Sequence, residues 1–458
     1  MAIDIEAMSA EARAEYVKAL ALKRLDRKRE RECASYYATD NPDIMGRKKL
    51  YATMVEESPV RAVAKENRFA ANERVASSFF RDITDQKVQY LAGEGADVSA
   101  ISEADAETVA AIFDPLKRDL RRMGQACLTD ALVYRVGYAY MQIINNAPKL
   151  THFPYEEVEA VKDARGSLAH VARFWKAEGR KRCELHTASK VYAFELDEKA
   201  AKDGGEWKQT EERWQIQTML AYGDGSAEAV GGKGWQRVPW FELKHNNECT
   251  SSLTNSVKTM IRCYDIVSSD FANNLIDVQD VFVKLKDGYG SGMESGEILE
   301  MLRIFKASEE VEGVQTLEVP HQAREALLTR LETSIYKALR GVNLHKIAGG
   351  NNTATAIRAL YSDVDLWADQ AEWHLEDWVS DVLATFAAYL GTELPPVDVT
   401  FTRRMIFDES AQMDAIARQK GIISDKTLYE NHPLVTDAQA ELERVAAQEL
   451  DAAYSVEL

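Results

Sequence analysis

Between Leu253 and Val278 the apolar residues Leu253, Val257, Met260, Tyr264, Val267, Phe271, Leu275 and Val278 follow one another at intervals of three or four positions, with no glycine or proline among them. That is the period of one helix face, and it predicts an uninterrupted helix about 39 Å long. A second stripe, Leu327, Leu331, Ile335, Leu339 and Val342, runs through 321–343, entered by Pro320 and with Gly341 near its end. A third runs from about Thr355 to Leu390 through Ile357, Leu360, Val364, Trp367, Ala371, Leu375, Trp378, Val382, Phe386 and Tyr389, a helix of about 54 Å. The segment between the first two stripes, 281–320, reads as a small strand–helix–strand insert, too small to cover them. Stripes of this length must be buried against something, and further copies of the same chain can supply it.

The rest of the chain reads as α+β, predominantly helical. Residues 9–38 form a charged helix whose run KRLDRKRERE is a solvated face rather than a phosphate grip, because acids are interspersed among the bases. Residues 60–91 read as a second helical zone, stopped by Gly93 and Gly95, and 103–131 as a third. From 133 to 245 short β-type runs (VGYAYMQII, HVARFWKA, KVYAFEL, RWQIQTML, WQRVPWFEL) alternate with the hairpin-like clusters KDGGE, YGDGS and VGGKG. VDVTFTRRMIF resumes a strand after GTELPP, and the tail is helical.

Little of this carries catalytic chemistry. The formal charge is −18, from 56 basic and 74 acidic residues, the wrong balance for a protein that coats nucleic acid by bulk attraction. Five cysteines without a CxxC pair indicate reduced thiols in an intracellular protein, with neither zinc site nor disulfide framework. No secretory signal is read at the start, and no apolar run approaches the roughly 18 residues that span a bilayer. The loop HKIAGGNNTATAIRALY (345–361) is not a phosphate-binding P-loop: Gly350 is followed by Asn351 and Asn352, Lys346 precedes the glycines, and a helix rather than a strand leads in. Thr353 is placed to cap the helix that follows. His374, beside Glu376 and Asp377, reads as a helix-face histidine, and Trp367 and Trp378 as core. No enzyme activity, metal or cofactor is expected.

The order of the motifs resembles the portal proteins of tailed bacteriophages, of the siphophage type with a long-helix stem. NRFAANERVASSFFRDITDQKVQYLAGEG (67–95) resembles the family's early segment, YRVGYAYMQIINN (134–146) its following strand, and VPWFELKHNN (238–247) its proline-led strand ending in paired asparagines. GGNNTATAIRALYSDVD (349–365) is similar to its loop and long-helix start, and ISDKTLYENHPLVTDAQAELERV (423–445) to its late segment. The resemblance implies a wing over 1–248 with a return strand at 395–406, a first stem helix at 249–280 and a clip at 281–320. It further implies a second stem helix at 321–343, a tunnel loop at 344–354, a long helix at 355–392 and a crown at 407–458. It implies a ring, twelve-fold in the particle, at one capsid vertex, through which double-stranded DNA is packaged and ejected. The implied partners are the terminase large subunit, a head-completion or adaptor protein, and the major capsid and scaffolding proteins. The place is the virion, reached from the host cytoplasm during assembly.

Within that plan Lys346, Gly349, Gly350, Asn351 and Asn352 are the DNA-facing loop residues. Glycines let the loop bend, amides offer uncharged hydrogen bonds, and one lysine per copy touches a sliding duplex without arresting it. Arg324, Lys337 and Arg340 are candidates for the channel wall. Leu253, Val257, Tyr264, Phe271, Leu275, Leu331 and Ile335 are the stem packing residues. The competing readings are a connector-type ring component, which is usually shorter, and a nucleic-acid-processing enzyme, which would need a P-loop or a carboxylate cluster.

Overall fold

The computed structural model describes residues 4–47, 50–55, 58–66, 71–144, 147–197, 205–221, 227–278, 284–285, 305–306, 321–343, 354–403, 424, 428 and 441–445. The chain divides into two compact units, one of Met1–Gly341 with Leu366–Arg403 and one of Val342–Asp365 with Arg404–Leu458.

In the first unit the expected N-terminal helix is broken in two, α1 (Ala10–Leu25) and α2 (Lys28–Tyr37). Ser9 caps α1, its Oγ accepting from Ala12 N at 3.2 Å. The break falls where Arg27 turns away to donate to the carbonyls of Tyr155 and Val158 at 3.0 and 2.8 Å and to pair with Glu159. Those acceptors lie far along the chain, so nothing local announces the break. After the short α3 (Pro42–Met45), the zone expected to be helical over 60–91 is only partly so. Strands β1 (Leu50–Val55) and β2 (Ser58–Glu66) form an antiparallel hairpin, residues 71–78 belong to no helix or sheet, and α4 spans Phe79–Ala92. Pairing of β2 with a preceding strand satisfies its backbone in a way that one segment's periodicity does not reveal.

Strand β3 (Ala96–Ala100) is followed by α5 (Ala106–Phe113) and α6 (Lys117–Val133), separated around Pro115. Then come β4 (Gly137–Ile144), β5 (Ala147–Phe153), β6 (Val158–Lys162), β7 (Leu168–Ala177), β8 (Arg180–His186), β9 (Lys190–Asp197), β10 (Glu206–Trp214), β11 (Ile216–Ala221), β12 (Ala227–Lys233) and β13 (Trp240–Leu243). Strands β6 to β10 form an antiparallel meander, β11 pairs with β12, and β13-β4-β5 make a three-stranded sheet. The late strand β16 (Val397–Phe401) pairs antiparallel with β3, Val399 opposite Val98.

Helix α1 lies on the meander. Val17 and Leu20 join Phe174, Leu185, Tyr192, Phe194 and Trp207 in one buried cluster, while the buried Arg13 places its guanidinium 3.9 Å from the centre of the Tyr192 ring. Helix α6 packs on β4 so closely that a Cβ on Gly137 would stand 2.1 Å from the Cys127 carbonyl oxygen, which reserves the position for glycine. A third element pair, α7 (Asn255–Val278) and α8 (His321–Ala338), packs as a hairpin, and α9 runs from Ala354 to Leu390. Between α7 and α8 only the two-residue parallel strands β14 (Lys284–Leu285) and β15 (Phe305–Lys306) are described.

In the second unit the first turns of α9 bury Tyr361 and Val364, and residues 441–445 are helical.

Candidate functional site

The hairpin of α7 and α8 is the centre of the candidate site. At the end where α7 begins and α8 finishes, Leu253, Val257, Ile261, Ile335 and Leu339 are buried together with Cys33 and Tyr36 of α2 and Phe80 and Ile83 of α4. Phe79 meets both helices edge-on, its ring centre 4.9 Å from that of Tyr264 and 5.9 Å from that of Tyr336. The start of α7 is tied down by Lys258, which pairs with Glu32, and by Arg29, which donates to the Leu253 carbonyl.

Towards the other end the cover thins. Phe271 and Leu331 are half-buried, and Leu275, Ile276 and Leu327 are 48, 44 and 41% exposed. The stem stripe thus brings Leu253, Val257 and Ile335 into one core, places Tyr264 beside them, and leaves Leu275 open within a single chain.

A second stripe on α7 is polar, buried, and absent from the expectations. Asp265 accepts from Ser77 N at 3.0 Å and from the Asn41 side-chain amide at 2.7 Å. Ser269 Oγ accepts from Val75 N at 3.0 Å, and Asn273 accepts from Glu73 N at 2.7 Å and donates to Glu73 O at 3.0 Å. Alternate amides of 71–78 all face the helix, as they do in an extended chain, and the helix answers once per turn. The segment is a strap laid along the first stem helix. Burial pushes the Asp265 carboxyl up, and the hydrogen bonds from Ser77 and Asn41 pull it back. Uncharged or lone acidic residues at 265, 269 and 273 repeat every four positions, which is the signal that would have disclosed this face.

Of the three basic residues expected at the channel wall, Arg324 lies with its guanidinium 5.7 Å from the centre of the Phe271 ring, one of its amino groups buried without a hydrogen-bond partner among the described residues. Lys337 and Arg340 are exposed. Arg340 has φ of 52°, while its N–H bonds to Lys337 O at 3.1 Å and that of Gly341 to Tyr336 O at 2.9 Å. This pair of bonds is the Schellman ending, with arginine at the left-handed position where glycine is commonest. Glycine is displaced by one residue because a Cβ at 341 would stand 2.6 Å from Ile83 Cγ2.

Behind this corner Lys87 of α4 is 4% exposed, its ammonium 4.8 Å from the centre of the Trp367 ring, and no salt bridge reaches it among the described residues. Burial first, and then the charge of Arg340, bring its pKa down to about 7. His374 is also lowered, by burial and by Lys244. Among the described residues no group of three histidine, cysteine or acidic side chains is placed to hold a metal ion, and no helix is long and apolar enough to cross a membrane.

The loop residues Lys346, Gly349, Gly350, Asn351 and Asn352, the segment 281–320 apart from β14 and β15, and most of 407–458 lie outside the described residues.

The chain is 26% identical over 438 residues to the portal protein of Bacillus phage SPP1, covering 90% of this chain and 81% of that one. It is 27% identical over 222 residues to the portal protein of Clostridium phage phiCD119, covering 46% of this chain and 48% of that one. Among solved structures, a chain from the neck of an empty GTA particle computed with C6 symmetry aligns at 13% identity and a TM-score of 0.38, over 77% of this chain and 88% of that one. The family model described as phage portal protein, SPP1 Gp6-like, matches residues 21–453. The chain belongs to the SPP1 Gp6-like family of phage portal proteins.

Proposed function

We propose that this chain assembles into a ring at one vertex of a phage capsid, a conduit without catalytic activity through which double-stranded DNA enters during packaging and leaves on ejection. Membership of the portal family over residues 21–453 is the principal support. The structural observation that carries the ring is the graded cover of the helical hairpin. Its inner end is packed within the chain, whereas Leu275, Ile276 and Leu327 stand open to water. Large apolar side chains exposed on one helical hairpin mark a surface that another protein covers.

In this reading residues 1–248 and the strand at 395–406 are the wing, 249–280 and 321–343 the stem, 281–320 the clip, 344–354 the tunnel loop, 355–392 the long helix and 407–458 the crown. The clip would dock the terminase large subunit and later a head-completion protein, and the outer surface would meet major capsid and scaffolding proteins. Lys346, Gly349, Gly350, Asn351 and Asn352 would touch passing phosphates, with Lys337 and Arg340 as exposed cations nearby in sequence. An acidic chain with few basic contacts suits a duplex that must slide, since each tight phosphate contact adds to the hold on DNA.

Negative-stain microscopy with native mass spectrometry of the purified protein tests the proposal. Rings of about twelve or thirteen copies with a central channel, the number the family resemblance implies, support it. Robust intrinsic ATP hydrolysis by the purified chain would sink the reading as a passive conduit.

A further inference from the structure

The solvent side of α9 carries two large apolar residues, Leu366 and Trp373, 62 and 68% exposed and about two helical turns apart. Asp369 and Asp377 stand one turn to either side of Trp373. Arg403 binds Asp369 and Glu372 at 2.6 and 2.5 Å, but Glu376 and Asp377 form no salt bridge among the described residues. Burial, and then Glu372, Asp377 and Asp398, raise the carboxyl of Glu376, which marks an excess of negative charge on this face.

The corner between α1 and α2 has the opposite character. Leu22 and Leu25 are 59 and 60% exposed and one turn apart. Lys23, Lys28 and Arg31 are exposed around them, with Asp26 exposed and Glu30 half-buried beside them. Lys23 pairs with Glu159, and Arg31 donates to the carbonyls of Leu25 and Arg27.

Helix α4 lies between the end of α2 and the inner face of α9. Tyr37 of α2 donates to Asp85 at 2.6 Å, while Lys87 faces Trp367 of α9. Positions two apart on a helix point about 200° from each other. An apolar patch rimmed by acids and another rimmed by bases, on different helices of a chain of net charge −18, suit a head-to-tail contact between copies. A head-to-tail contact closes into a ring when its rotation returns to the start, whereas a two-fold contact through either patch alone would set like charges against each other.

We propose that the α1–α2 corner of one copy docks on the α9 face of the next, Leu22 and Leu25 against Leu366 and Trp373, Lys28 and Arg31 against Glu376 and Asp377. The proposal rests on the ring reading above and names one contact that would hold the ring together.

The test uses full-length chain. Leu25→Cys with Trp373→Cys, in a Cys249→Ser, Cys263→Ser background, is oxidised after assembly and compared with the same background carrying either added cysteine alone. Separately, Lys28→Glu with Arg31→Glu is combined with Glu376→Lys and Asp377→Lys. The docking predicts a ladder of disulfide-linked copies from the double-cysteine rings alone. It also predicts that reversing the basic pair raises the concentration for half-assembly at least about tenfold, and that reversing the acidic pair as well restores it. Rings that give no ladder and ignore both charge reversals would overturn the docking and leave the ring standing. A wild-type chain that stays monomeric with its capsid partners present would overturn the ring, and the docking with it.

Discussion

Asn273 holds the backbone of Glu73 from both sides, its Oδ1 accepting the Glu73 N–H at 2.7 Å and its Nδ2 donating to the Glu73 carbonyl at 3.0 Å. A side-chain amide here supplies what a neighbouring strand would supply, and only asparagine of this length carries both a donor and an acceptor. Asn273 is wholly buried, so truncation leaves two backbone groups unmet. Asn273→Ala should cost about 2–4 kcal/mol in urea unfolding. Asn273→Asp, which keeps the acceptor and loses the donor, should speed hydrogen exchange at Val75 and Ser77 less than Asn273→Ala does. Equal protection at Glu73, Val75 and Ser77 in wild type and Asn273→Ala would show that the strap does not depend on this contact.

Lys87 gives the fold a pH dependence of known sign. Its folded pKa is about 7, against the ordinary 10.5. Below pH 7 the folded state bears the full cost of a buried ammonium, and between about 7 and 10.5 the unfolded state binds the extra proton. Stability should therefore rise with pH across that window by up to about 1.4 kcal/mol per unit. Lys87→Met should raise the thermal midpoint at pH 7 and flatten the rise, and a slope unchanged in that variant would place its origin elsewhere.

The close of α8 makes a paired prediction. Arg340 occupies the left-handed region, which costs a residue with a Cβ about 1 kcal/mol. Arg340→Gly should stabilise the fold by up to that amount and also raise the pKa of Lys87 by removing a nearby cation. Gly341→Ala should do the reverse and destabilise by about 1–3 kcal/mol, because Ile83 has to give way. Calorimetry on both variants checks the opposite signs.

Leu275→Asp puts a carboxylate where the stem stripe is open, so the monomer should fold normally while rings fail to form. Size-exclusion chromatography with circular dichroism separates the two effects, and intact rings would mean that Leu275 lies away from the contact. Lys346→Ala with Asn351→Ala should leave ring formation unchanged and alter DNA packaging or retention, measured in a packaging reaction. Loss of the ring in that double variant would remove the loop from the channel.

The long stripes were legible because their period is set by the helix itself and needs no partner to be read. Val257 of α7 and Ile335 of α8 lie where that period puts them, Leu253 joins the same core from just before α7 begins, and α7 and α9 extend over most of their stripes. The break at Arg27 was not legible, because its cause is a set of acceptors at 155–159 that only the folded chain brings near. The β1–β2 hairpin and the strap escaped for a related reason: both satisfy their backbones with partners outside the segment. The polar row Asp265, Ser269 and Asn273 carries a four-residue period of its own, but short polar side chains at that spacing suit a solvated helix face equally well.

The strap works as a vernier. Two residues of extended chain advance about 6.6 Å and four residues of helix about 6.0 Å, so successive rungs drift apart by roughly 0.6 Å. Across the three rungs at 73, 75 and 77 the drift is about 1.2 Å, near what hydrogen-bond geometry tolerates, and a fourth would exceed it. A scale that coincides over so short a span has a single setting. The first stem helix is thereby indexed to the strap residue by residue, and a slip by one position would cost all three rungs together.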